Sequence, residues 1–361
     1  MKYMDEYRDR GLVDHLVQRI RDVSKVPVRL MEVCGGHTMS IQKFGIPSLL
    51  PETVELVSGP GCPVCVTGRQ FIDKAIAYSR LKDIIITTFG DLIRVPGSTS
   101  SLEKEKASGA DIRIVYSVLD ALQVAMENPD KKVIFLGIGF ETTSPGSAAG
   151  IKRASEMHIP NFFLYSSHKV MPPAMKALIH EGIAISGFIA PGHVSTITGT
   201  AMYEEFPQRY GVGCVVSGFE PADLLQSVLM LVQQVENRKP GVEIQYKRAV
   251  RPEGNPKALQ VLDEIFEPQD DWWRGLGVLP GSGLRLRPAF QHFDAENEIA
   301  VRVEETRDEK GCICGDILKG LKQPDECKLF AKACTPSDPA GACMVSNEGT
   351  CHAWYRYHRH G

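Results

Sequence analysis

The stretch KVIFLGIGFETTSP, residues 132–145, carries the pattern on which the fold turns. Its apolar run reads as a strand and its glycines as a turn. Thr142 to Pro145 reads as a helix start, with the charged Glu141 at the junction. The same order recurs along the chain. Apolar runs lie at VRLMEV (28–33), VELVSG (54–59), DIIITTF (83–89), RIVYS (113–117), NFFLYS (161–166), GFIA (187–190) and CVVSGF (214–219). Amphipathic helical stretches such as 71–81 and 221–237 separate most of them, and another precedes the first run at 12–23. Strands alternating with helices predict an α/β protein with parallel sheet, and near-continuous apolar runs fit strands covered on both faces. The eight runs divide into two units, 1–118 and 119–245.

Polar residues recur where these strands end. MEVCGGHTMS, TTFGDLIRVPG, LGIGFETTSP, IAPGHVSTI and VVSGFEPADL each place glycine and then His, Asp or Glu before a helix start. Ligands of open α/β sheets bind at the carboxyl ends of strands, so five such loops predict one shared polar cleft. The bland account of any single loop is helix capping, in which Ser or Thr caps and Gly turns. After residue 250 the texture changes. RPEGNP (251–256) reads as a linker, 271–290 has little periodicity, and the region 246–361 reads as a third, Cys-rich unit.

Composition narrows the function classes. Lys and Arg number 41 against 44 Asp and Glu, a net charge of −3, which offers no basic excess for nucleic acid. The N-terminus lacks the apolar core of a signal peptide, and no stretch approaches the ~18 apolar residues of a membrane span. A cytoplasmic protein is expected. Ten cysteines in a reducing compartment point to metal or thiol redox chemistry rather than structural disulfides.

Six of these cysteines, Cys312, Cys314, Cys327, Cys334, Cys343 and Cys351, crowd a Gly- and Pro-rich C-terminal segment that has little apolar surface to bury. Such a segment needs a staple. Their spacings lack paired C-x-x-C knuckles, which favours an iron–sulfur cluster over zinc. Cys62 and Cys65 form a C-x-x-C frame between a strand and a helix, where a helix N-terminus favours thiolate; a redox dithiol is the favoured reading and half a zinc site the alternative. Cys34, three residues before His37, reads as a metal ligand, a nucleophile or a buried thiol. His37 and His193 occupy matching loops, and Cys214 reads as packed in a strand.

Taken together, MEVCGGHTMSI, GPGCPVCVT, TTFGDLIRVPGS, GFETTSP, APGHVSTI and CTPSDPAGACMVSNEGTC resemble the HypD family of hydrogenase formation and maturation proteins, from about residue 10 to the end. The resemblance implies two Rossmann-like domains plus a third domain with a [4Fe-4S] cluster. It implies a role in building the Fe(CN)2CO group of [NiFe]-hydrogenases, with a HypC-like small partner and HypE as cyanide donor, and a chain monomeric on its own. It also implies that Cys34 binds the iron, with His37 near it, and that Cys62 and Cys65 are a redox dithiol. A C-x14-C-x6-C-x16-C frame then assigns Cys312, Cys327, Cys334 and Cys351 to the cluster and leaves Cys314 and Cys343 spare.

On this reading the amides of Gly35 and Gly36 lower the Cys34 pKa and orient cyanide, while Asp91, Glu141 and His193 line the facing walls. Electrons for the transient iron with its CN and CO ligands pass from the cluster to the Cys62–Cys65 disulfide. Two other classes compete. One is a cluster-containing disulfide reductase acting on a protein thiol partner. The other is a zinc-stapled binding module.

Overall fold

The computed structural model describes residues 4–307 and 309–358. Nine parallel strands form two sheets. They are β1 (Val28–Glu32), β2 (Val54–Ser58), β3 (Ile84–Thr88), β4 (Ile112–Ile114), β5 (Lys132–Gly139), β6 (Phe162–His168), β7 (Gly187–Pro191), β8 (Gly213–Ser217) and β9 (Val242–Ile244). The first sheet runs β2-β1-β7-β8-β9 and the second β4-β3-β5-β6. Every pair within them is parallel.

Strand alternation sends side chains to different cores. In β5, Val133 and Phe135 join the core under the helices Val118–Glu127 and Ser144–Glu156, whereas Ile134, Leu136 and Ile138 enter a core shared by both sheets. In the other sheet, Val28 and Leu30 face the helices Arg10–Val23 and Pro221–Glu236, while Met31 enters the same shared core. One apolar interior therefore joins the two sheets, and their carboxyl ends open toward a common region.

The sheets correct the division at 118/119. β3 and β4 do not pair with β1 and β2; they join β5 and β6. The chain leaves the first sheet after β2, builds the whole second sheet, and returns at β7. Apolar runs mark where strands are but not their partners. The boundary at 246 also moves. The helix Pro256–Ile265 and an antiparallel hairpin, β10 (Phe266–Trp273) with β11 (Gly277–Leu286), pack on the second sheet, and Ile265, Phe266, Leu284 and Leu286 enter its outer core. The segment expected to be a linker is tied down: Thr200 N donates to Pro252 O (2.9 Å) and Asn255 N to Ile197 O (2.9 Å).

Tertiary contacts order the hairpin where periodicity does not. The buried Trp273 indole donates to Ser282 Oγ (2.9 Å). Lys169 Nζ, itself buried, donates to Asp271 Oδ2 (2.5 Å) and Trp272 O (2.8 Å). The Cys-rich segment beyond residue 310 has only short helices before Thr350–Tyr357. Much of its docking is by guanidinium groups grasping carbonyls. Arg94 reaches Pro336 O and Val345 O, and Arg69 reaches Arg307 O and Ala340 O. Among the described residues no helix is long and apolar enough to cross a membrane.

Candidate functional site

Both sheets change direction at their centres, and the candidate residues lie there. In the first sheet the chain steps from β1 outward to β2, and from β7 the other way to β8. Cys34 follows β1 and His193 follows β7. In the second sheet the same reversal falls between β3, which leads to Asp91, and β5, which leads to Glu141. Crevices at such switch points are where α/β sheets bind ligands.

Cys34 N-caps the helix Gly35–Lys43 and retains partial access to solvent. The helix N-terminus does not make it a thiolate, contrary to the expectation from sequence. Desolvation dominates and pushes the thiol up to about 12. The Glu348 carboxylate adds to this, and the amides of His37 and Gly36 only partly offset it. Beneath it lies the buried Glu32, which accepts from Thr38 Oγ1 (2.7 Å) and from Cys34 N (3.4 Å). Burial raises this carboxyl to about 8.

His37 is buried and neutral, its pKa lowered to about 4 by desolvation. Its Nε2 lies 3.2 Å from the carbonyl of Ser217, so Nε2 carries the proton and donates, leaving Nδ1 as a free acceptor without a partner. Phe219 stands between the two expected histidines, 4.7 Å from the His37 ring and 4.0 Å from His193, by ring centroids. His193 thus faces an aromatic spacer rather than Cys34. Glu141 is buried; Oε1 accepts from Met171 N (2.9 Å) and Oε2 has no partner. Burial lifts it to about 7. Asp91 accepts from Ser346 Oγ (2.9 Å). It lines a cavity of about 450 Å³ together with Pro63, Val64, Thr143 and Glu348.

Cys62 and Cys65 form a disulfide, with Cα atoms 5.2 Å apart. The turn carrying it rests directly on Cys34. Gly35 N donates to Gly61 O (2.9 Å), and a Cβ on Gly61 would lie 2.1 Å from Cys34 N. Only glycine permits that approach. Gly35 is also pressed, by Glu348, whose Cβ would stand 2.5 Å from an added methyl.

The helix that Cys62 caps and that carries Cys65 is a single turn, Pro63–Val66. It packs against the turn Ala342–Met344, which holds Cys343, while the helix behind Cys34 packs on Thr350–Tyr357, which holds Cys351. Three groups of cysteines widely separated in sequence therefore converge.

Within the C-terminal group, Cys312, Cys343 and Cys351 crowd Cys314, and this closeness holds its pKa well below the usual thiol value. Cys327 and Cys334 stand outside that contact; Cys327 Sγ donates to Gly311 O (3.8 Å) and Cys334 Sγ accepts from Ala340 N (3.3 Å). Of the four expected cluster ligands, only Cys312 and Cys351 thus share a neighbour, and Cys314 and Cys343, expected to be spare, are the innermost. Among the described residues no three His, Cys, Asp or Glu stand in ready-made ligand geometry for a metal ion. The donor set nonetheless suits an iron–sulfur group. It is all sulfur, largely shielded, and already arranged to hold negative charge.

Sequence reasoning did not single out Glu32, Phe219, Glu348 or Arg274. Glu32 and Phe219 sit in quoted strand-end motifs; a carboxylate two residues before a cysteine was the available signal for the first. Nothing local marks Arg274.

The fold and the site define a class: two interleaved parallel α/β sheets with a thiol, a disulfide and a cysteine-rich lobe meeting at their carboxyl ends. Comparison with known proteins places the chain within that class. The HypD model, described as "Hydrogenase formation hypA family", matches residues 11–358. The chain is 46% identical to the hydrogenase maturation factor HypD of Azotobacter vinelandii, over 99% of this chain and 97% of that protein. It is 44% identical to the HypD of Escherichia coli K12, over 99% and 98%. The chain belongs to the HypD family.

Proposed function

We propose that this chain is a hydrogenase maturation factor that holds iron at Cys34 while the iron receives its cyanide and CO ligands, together with a HypC-like small partner and with HypE as cyanide donor. The observation that carries this reading is the direct contact between the Cys34 loop and the Cys62–Cys65 turn, which sets a redox-active pair beside the thiol that binds the cargo. Cys34 rests as a neutral thiol, so incoming iron must displace its proton. Glu32 stays largely protonated and Glu141 about half protonated near neutrality, and they supply protons from within the cleft. Nδ1 of His37, three residues from Cys34, is a buried acceptor left without a partner.

Cys312, Cys327, Cys334 and Cys351 would hold a [4Fe-4S] group, which supplies single electrons when bound. The chain's own part is to gather the thiols and press Cys343 against the disulfide turn. The disulfide-reductase reading is disfavoured by burial: Cys62 is 3% and Cys65 0% exposed, which leaves no sulfur for a protein disulfide to meet.

Cys34→Ala tests the assignment. The variant should fold and keep its C-terminal iron and sulfide, yet show none of the infrared CN and CO bands of the complex with the small partner. Bands of normal intensity would remove Cys34 from the iron site.

A further inference from the structure

A C-x-x-C pair ahead of a helix draws thiolate stability from the helix N-terminus. Here Cys62 caps a helix of one turn, Pro63–Val66, which holds Cys65 and is too short to carry much of a dipole. A positive charge does reach the turn, from elsewhere in the chain. Arg274, at the tip of the β10–β11 hairpin, donates from Nε to Cys65 O (3.0 Å) and from a terminal nitrogen to Thr67 O (3.0 Å). Its backbone N donates to Val66 O (2.9 Å), and Thr67 bridges to Trp273 as a fragment of antiparallel strand. Arg274 thereby engages three consecutive carbonyls of the disulfide turn.

The other side of the hairpin tip touches the cysteine-rich lobe. Gly275 has a φ of +83°, and a Cβ there would lie 2.7 Å from the Cα of Gly315, next to Cys314. The tip is anchored from behind by the Lys169–Asp271 pair. It is a strut between the disulfide turn and the C-terminal thiols, with a fixed cation at its point.

We propose that Arg274 is the positioning residue of the Cys62–Cys65 couple, fixing the turn against the C-terminal cysteines and stabilising the reduced pair by its charge; this rests on the redox reading of the turn given above. Reduction takes up two electrons, breaks the Sγ–Sγ bond and leaves a thiol or thiolate on each cysteine. The disulfide is neutral, and any thiolate formed gains from a cation bonded to the Cys65 carbonyl. Glutamine at 274 removes the charge. Lysine keeps it but replaces the planar fork, which grips two carbonyls at once, with a point donor.

The test uses the full chain, purified anaerobically and equilibrated at pH 8 in dithiothreitol redox buffers, with equilibrium approached from the oxidised and the reduced side. The dithiol is the reductant and closes to its cyclic disulfide. Differential alkylation and peptide mass spectrometry read Cys62 and Cys65 alone. Arg274→Gln should lower the equilibrium constant for reduction about tenfold, ~30 mV for a two-electron couple. Arg274→Lys should lower it about threefold. Constants at the wild-type value in both variants, even with a reduced melting temperature, would overturn the role and leave Arg274 merely structural. If the glutamine variant does not fold, the lysine variant decides alone by the same criterion. A wild-type pair that cannot be reduced at all would instead overturn the redox reading on which the proposal stands; a normal wild-type couple with unshifted variants overturns Arg274 only.

Discussion

Glu141 shows what one side chain costs when it is placed for chemistry. One carboxylate oxygen accepts from Met171 N, and the other is buried without a partner. Burial lifts its pKa from 4.5 to about 7. The native state therefore keeps a proton that the unfolded chain releases near pH 4.5, and it binds more protons throughout the window between. Its contribution to stability must therefore fall as pH rises across that window and level off above it. A shift of this size corresponds to roughly 3 kcal/mol, at about 1.4 kcal/mol per pH unit. Glu32, raised to about 8 by the same cause, adds a decline of the same sign that extends somewhat higher. Glu141→Gln keeps the shape and cannot ionise. The buried His37 and His168, lowered to about 4 and about 3, work in the opposite direction below pH 6.5, so the readout is the difference between the two proteins. From pH 5 to pH 8.5 in urea titrations the wild type should lose about 3 kcal/mol more than the variant. An equal loss in both proteins would mean that Glu141 stays ionised in the fold and is not a proton source for the cleft.

At the scale of elements, the site depends on two loops brought closer than side chains allow. The turn Gly59–Cys62 lies on the end of β1, with Gly59 N bonded to Glu32 O (2.8 Å) and Gly61 against the backbone of Val33 and Cys34. A methyl at 61 would meet main-chain atoms, which cannot rotate away. Gly61→Ala should therefore cost about 2–3 kcal/mol, toward the upper end for overpacking. It should also part the disulfide from Cys34. A lower denaturant midpoint together with weakened iron retention at Cys34 is the expected result; unchanged values for both would show that the loops do not need this contact. This close packing also explains what sequence could and could not reveal. The strands were legible because β5 and its neighbours are buried on both faces and read as apolar runs. The strand-end grammar likewise exposed Cys34, His37, Asp91 and Glu141. The hairpin was illegible because Lys169 fixes Asp271 and Trp272 across 102 and 103 residues of chain, a contact no local pattern marks. Arg274 and Glu348 owe their places to the same kind of contact: Arg274 meets Cys65 across 209 residues of chain.

The whole molecule is threaded so that neither sheet belongs to one end of the chain. β1 and β2 come from the first 58 residues, but their sheet is completed by β7, β8 and β9, and Leu30 packs beneath the helix Pro221–Glu236. β3 and β4, encoded next, wait for β5 and β6. The shared core takes Met31 and Val57 from one sheet and Ile86 and Ile134 from the other. This interleaving sets the cleft geometry, because the Cys34 and Glu141 loops are held by strands that fold only together. It also sets how the chain comes apart. A cut after residue 118, where the run of apolar segments divides evenly, leaves β1–β2 and β3–β4 as two parallel pairs without central neighbours. Parallel pairs of that size are not independently stable. The fragment 1–118 should show neither a cooperative thermal transition by circular dichroism nor slowed amide exchange in β1 or β3, whereas the intact chain should melt its two sheets in one transition. A folded 1–118 fragment would mean that the N-terminal strands can satisfy one another without the rest of the chain, and that the two loops of the cleft are assembled on separable domains.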